Sequence, residues 1–214
     1  MVKVVVAISR QLGSGGSEVG QIVAARLGCK YVDREVLRLA AEALGMDEEE
    51  LSRREERIQG FWERLAAVLS TSTTPDEPYS PPPIRPVPDQ RIFALESDII
   101  KALAERKDCV IVGRGATEVL RGHPGLTTVL LHAPVEYRVR RVVETYRVSS
   151  NELARIMVEG SDQIRGRFIR EMTHRDWMCA TQYDLCLNTS ILPLEQVADV
   201  IVGVVTARRT RATT

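Results

Sequence analysis

No stretch of this 214-residue sequence approaches the roughly 18–20 consecutive apolar residues that span a bilayer, so no membrane-spanning helix is expected. Net charge is lacking too: 29 Lys and Arg offset 29 Asp and Glu. With no bulk field to attract a nucleic-acid polymer or an anionic membrane, any anion site must be local. Cysteine is scarce. The four thiols, at positions 29, 109, 179 and 186, show neither CxxC spacing nor a clustered His/Cys set, and they read as reduced core or near-surface thiols, not metal ligands. The three histidines, His123, His132 and His174, stand far apart, and no GxSxG elbow accompanies them. Covalent hydrolase chemistry therefore has no support. The opening MVKVVVAIS lacks a charged leader, a long apolar region and a small-residue cleavage site. It reads as a strand rather than a signal peptide, and a cytoplasmic location follows by elimination.

The sequence does contain ordinary globular material, 44% hydrophobic and 27% charged, in a length that suits one well-filled domain. Val2 to Ile8 is a β-branched run suited to a central strand buried on both faces. A glycine-rich loop follows, then a helix from Ser17 to Leu27 that stops at Gly28. Cys29–Val32 makes a second strand, a helix starts at Asp33 and ends near Gly45, and another helical pattern occupies 48–69. Residues 70–90 hold seven of the ten prolines and continue neither helix nor sheet; they read as a surface loop, with a flap over the acceptor or a docking segment as alternatives. A helix over Ile92–Ala104 precedes a strand at Cys109–Val112. Leu126–Leu131 and Asp184–Leu187 supply further strands, Pro134 and Ser149 or Ser150 open the intervening helices, and Leu194–Val205 closes the chain. Five strands alternating with helices predict an α/β fold with a parallel, doubly wound sheet covered on both faces.

The sharpest local signal is the stretch Ser9-Arg10-Gln11-Leu12-Gly13-Ser14-Gly15-Gly16-Ser17-Glu18, between the first strand and the first helix. Glycines there let several amide N–H groups converge on one anion, and the helix start adds its positive dipole end. The pattern departs from the phosphate-binding consensus GxxxxGK followed by Ser or Thr: Gly16 stands at the lysine position and Arg10 at the first glycine. Ser17 can ligate Mg²⁺ through its hydroxyl or simply cap the helix.

ISRQLGSGGSEVG, YVDREVL, CVIVGRGA, LHAPVEYRVRRV, SDQIRGRF and YDLCLNTS follow in order along most of the chain, and together they resemble the motifs of the cytidylate kinase-like family. The lysine-less GSGG loop is the usual form among those relatives. The resemblance implies a P-loop NTPase fold with a five-stranded parallel sheet and a small arginine-containing lid at about 160–176. ATP and Mg²⁺ are expected across Gly13, Ser14, Gly15, Gly16, Ser17 and Glu18, with Ser17 the candidate metal ligand. A nucleoside monophosphate, CMP or dCMP, is the implied acceptor.

Asp33 and Arg34 sit at the carboxyl end of the second strand, where open α/β sheets collect ligands, and are candidates for the acceptor's ribose and phosphate; an N-cap Asp beside a solvated Arg is the structural alternative. Arg114, between two glycines, is a candidate phosphate ligand. Asp162, Arg165 and Arg167 fall where the resemblance puts the lid and are the candidate catalytic residues, with Arg170 and Arg175 nearby. Of Arg138, Arg140, Arg141 and Arg147, one can reach the donor while the rest pair with Glu136 and Glu144 or face solvent. Trp62 and Trp177 read as packing anchors. Small nucleotides are the expected partners. The alternatives are a nucleotide-binding regulatory module without turnover, a kinase for a non-nucleotide small molecule, and a scaffold acting through residues 70–90.

Overall fold

The computed structural model describes residues 2–33, 90–113 and 115–211. The helical segments expected between Arg34 and residue 69, the stretch 70–89, and the candidates Arg34 and Arg114 lie outside the described residues.

Strands β1 (Val5–Arg10), β2 (Lys30–Val32), β3 (Cys109–Val112), β4 (Leu126–His132) and β5 (Leu185–Asn188) form one parallel sheet in the order β2-β3-β1-β4-β5. The helices between them are α1 (Gly16–Leu27), α2 (Gln90–Arg106), α3 (Ala116–Val119), α4 (Val135–Tyr146), α5 (Asn151–Thr173) and α6 (Leu194–Arg211). β1 is central, as its continuous apolar run requires, but it begins at Val5 and runs on to Arg10. Its neighbours set those limits. Val5 pairs with the first residues of both β3 and β4, Cys109 and Leu126, so residues 2–4 have no ladder to join; at the other end β4 continues far enough to pair Leu131 with Arg10.

Side-chain alternation along the central strands divides the core into two layers. Val5, Ala7, Cys109 and Ile111 pack with Ile99, Ile100 and Leu103 of α2 and with Ala116 and Leu120. Val6, Ile8, Val110 and Val112 face the other way, onto Val19 and Val23 of α1 and Val197 and Ile201 of α6. Each fully buried aliphatic side chain contributes about 1.5–3 kcal/mol, so the period of two fixes which face each helix must cover. Burial also pushes the Cys109 thiol up to about 12 and the Cys29 thiol up to about 11, consistent with reduced core thiols. All four cysteines are free.

Helix ends follow local chemistry. Gly28 stops α1 in the left-handed region, φ 64°, and its N–H returns to Ala24 and Ala25 carbonyls. Pro134 caps α4, and the Ser150 hydroxyl caps α5 by accepting from the Leu153 N–H at 3.1 Å. The segment expected as a separate lid is the second half of the 23-residue α5. No described helix is long and apolar enough to cross a membrane.

Candidate phosphate-transfer site

The loop after β1 is shaped by what its glycines leave out. Gly13 and Gly15 take φ of 82° and 76°, a region L side chains rarely adopt. A Cβ on Gly13 would stand 2.6 Å from the Arg138 carbonyl oxygen, and one on Gly15 would stand 2.5 Å from Leu194 Cδ1. The loop is therefore wedged between the starts of α4 and α6. Its base is tied down as well: the Gln11 N–H donates to the Leu131 carbonyl at 3.0 Å, and the buried Ser14 hydroxyl donates to the Gln11 carbonyl at 2.8 Å.

The residue preceding α1 is Gly15, which has no side chain to cap the helix. The first-turn amides of Gly16, Ser17 and Glu18 thus have no intrahelical acceptor and no side-chain cap, and they carry the positive end of the helix dipole. A phosphate oxygen fits such a site. Ser17 lies inside the helix and not at its cap, so capping is not the role of its hydroxyl. Ser17 and Asp33 both lie near the Tyr31 hydroxyl, which is itself buried with no hydrogen-bond partner among the described residues. Burial, with Asp33 adding to it, pushes the Tyr31 phenol well above its ordinary range. The fit for Mg²⁺ is the Ser17 hydroxyl plus phosphate oxygens; among the described residues no cluster of three His, Cys, Asp or Glu forms a protein-only metal cage.

Charge surrounds the loop in an ordered way. Arg138, 2% exposed, donates from Nε to the Ala133 carbonyl at 2.9 Å and pairs with Asp162 at 2.9 Å. The same Asp162 oxygen, Oδ2, accepts from Gln11 Nε2 at 3.0 Å, while Gln11 Oε1 accepts from the Ala133 N–H at 3.2 Å. Asp162 therefore clamps the loop, α4 and α5 together. Its other oxygen, Oδ1, is buried without a partner, as is Arg141 Nε beside the loop's far end, where Arg141 pairs with Glu18 at 2.9 Å. With the Tyr31 hydroxyl these make three buried polar atoms near one loop that have no hydrogen-bond partner among the described residues, which is what a site shaped for a polar ligand leaves behind. Arg165 donates to the Arg10 carbonyl at 2.6 Å. A cavity of about 200 Å³ opens between these groups, lined by the loop, Arg141 and Arg165.

Of the sequence candidates, the structure gathers residues 13–18, Asp162 and Arg165 around this cavity or its walls, while Asp33 stands after β2 near Tyr31, and neither of those two lines the cavity. Arg167 is exposed: two residues beyond Arg165, it stands about 200° round the helix. Arg170 is exposed too, and Arg175 pairs with Glu118 at 3.3 Å. Trp177 is buried with Leu130 and Ile169, a packing anchor against the same helix. Sequence reasoning missed Gln11 and Tyr31; it put Arg138 and Arg141 on one helical face, away from Arg140, but did not single out Arg138 as buried. A signal for Arg138 existed, since it lies three residues after Val135 and four before Val142, inside the apolar stripe of α4.

Comparison with known proteins follows the same lines. The model of the cytidylate kinase-like family matches residues 5–191. A cytidylate kinase from Sulfolobus acidocaldarius is 31% identical over 81 residues, 38% of this chain and 44% of that enzyme, so the match spans less than half of the curated relative. A protein of Eubacterium ventriosum described as uncharacterized superposes with a TM-score of 0.67 at 20% identity, covering 95% of this chain and 99% of its own. A shikimate kinase from Bacteroides thetaiotaomicron does so with a TM-score of 0.53 at 16% identity, covering 95% and 98%. At such identities these structures speak for the fold alone, the five-stranded parallel sheet with helices on its faces. With the family match running from the first strand past the last, this chain is a member of the cytidylate kinase-like family.

Proposed function

We propose that this protein transfers the γ-phosphoryl group of ATP to the phosphate of a small nucleotide acceptor, CMP or dCMP. The observation that carries the reading is the uncapped start of α1 at the carboxyl end of the central strand, framed by Arg138, Arg141 and Arg165. The donor's phosphates rest on the amides of residues 13–18. Ser17 is the residue that would hold Mg²⁺, which would offset the charge of the phosphates. Asp33 follows β2, two strands from β1 in the sheet, and is the residue there that an acceptor would meet. Arg165, fixed at the loop by its bond to the Arg10 carbonyl, offers donors where charge builds on the transferring group. In-line transfer between two held phosphates needs no covalent enzyme intermediate, because orientation supplies much of the rate.

ADP release with ATP, Mg²⁺ and a panel of nucleoside monophosphates tests this. Turnover selective for CMP or dCMP is expected, and Arg165→Ala should lower kcat/KM about 100-fold, or about 2.7 kcal/mol. Turnover with none of the panel would defeat the acceptor assignment. One observation favours a second reading: Gly16 occupies the lysine position, as in a nucleotide-binding module without turnover. That reading requires ATP binding with no acceptor-dependent ADP release.

A further inference from the structure

The empty lysine position has a structural counterpart at the other end of the same loop. Arg10 is the last residue of β1, held in register opposite Leu131, with its carbonyl fixed by Arg165. Its side chain runs back over the loop: a Cβ on Gly16 would stand 2.5 Å from Arg10 Cγ and 2.6 Å from its Cβ. The guanidinium then reaches Gly113 just past β3, where a Cβ would overlap it. Two bare positions, 16 and 113, thus define the path of one arginine. The path crosses the carboxyl ends of β1 and β3, the crevice of an open parallel sheet in which ligands bind.

Among the described residues, the Arg10 guanidinium has neither a hydrogen bond nor an ion pair. Arg138 and Arg141 differ, for each already holds a carboxylate, Asp162 and Glu18 respectively. A half-buried cation lining this cavity, without a counter-charge among the described residues, is a site for an anion. Its planar fork also suits two oxygens of one phosphate better than a point charge does.

We infer that Arg10 supplies, from the strand end of the loop, the phosphate-binding cation that the consensus places at position 16, and that it contacts the β- and γ-phosphates of the nucleoside triphosphate donor. The inference rests on the phosphoryl-transfer reading above. It also explains why glycine stands at position 16: a side chain there and the Arg10 stem exclude each other.

The test is binding of ATP·Mg²⁺ and of AMP, by calorimetry, to the whole protein and its variants. The unsubstituted protein should prefer ATP. Arg10→Gln should weaken ATP about tenfold or more, the scale of a lost charge-assisted contact, while changing AMP less than about twofold. Arg10→Lys should keep most of the preference. Gly16→Lys alone should also lose it through collision with the Arg10 stem, whereas Arg10→Gly combined with Gly16→Lys should recover ATP affinity to within about threefold. Thermal melts of each variant separate lost binding from lost folding. The inference is overturned if Arg10→Gln keeps the ATP preference, or if the double variant binds ATP no better than Arg10→Gln. If the unsubstituted protein itself shows no preference for ATP, the phosphoryl-transfer reading fails and takes this one with it, which the variants' failure alone would not do.

Discussion

Residues 10–18 and residues 160–173 meet at the same cavity, yet they prepare it by different means. The loop works through backbone: positive φ at Gly13 and Gly15, free first-turn amides, and walls that a Cβ would breach. The second half of α5 works through side chains: Asp162 and Arg165 reach the loop and Phe168 and Ile169 pack inward, while Arg167 and Arg170 are exposed. Glycine spacing alone specifies the first device. The second depends on helix phase, which a run of charges does not reveal. Substitutions should therefore act all or none in the loop and in proportion to facing on the helix.

The largest effect is expected at Gly13. Gly13→Ala places a methyl 2.6 Å from the Arg138 carbonyl at a φ of 82°, and neither backbone can yield without moving α4. Loss of ATP binding is expected, together with a destabilisation of about 2 kcal/mol or more visible in a denaturant melt. Gly28, also at positive φ, has open space around its Cβ position and provides the control. If Gly13→Ala and Gly28→Ala behaved alike, the close approach of the loop to α4 would not be what the glycine is for.

Asp162 tests the junction between the two regions. Its carboxylate holds a buried arginine and the loop's Gln11 at once, so Asp162→Ala leaves the Arg138 charge with only backbone carbonyls. Removing one partner of a fully buried pair costs about 3–5 kcal/mol, but Asp162 retains 24% of its side-chain exposure, and screening brings the expected loss to about 2 kcal/mol. Equilibrium unfolding would measure it. An unchanged midpoint with reduced turnover would move Asp162 from holding the loop to the chemistry itself.

How much of this was legible depended on the kind of signal. β3 is found at Cys109–Val112 as its apolar run requires, and Gly28 stops α1 because only local backbone geometry is at stake. β1 slipped by three residues at its start because its limits belong to β3 and β4, partners far away in sequence. The glycine loop between β1 and α1 was legible from its spacing, but that Ser17 stands inside the helix and not at its cap was not, since Gly15 precedes the helix only in the folded chain. The Asp162–Arg138–Gln11 junction joins residues up to 151 positions apart and leaves no local pattern. Arg10 was noticed only as an anomaly, and its meaning depends on where Gly113 lies in the folded chain.

The smallest expected effect is at Arg167. Sequence placed it beside Arg165 as a catalytic candidate, but the helix turns it about 200° away and leaves it exposed. Arg167→Ala should change kcat/KM less than about threefold and stability by less than about 0.5 kcal/mol, the range of an ordinary surface substitution. Set beside the hundredfold loss expected for Arg165→Ala, the pair isolates facing from charge, because both remove one guanidinium from the same helix. Equal losses would mean that α5 rolls or bends when substrates bind, bringing its outer stripe onto the phosphates, and the distinction between loop and helix would then describe only the ligand-free state.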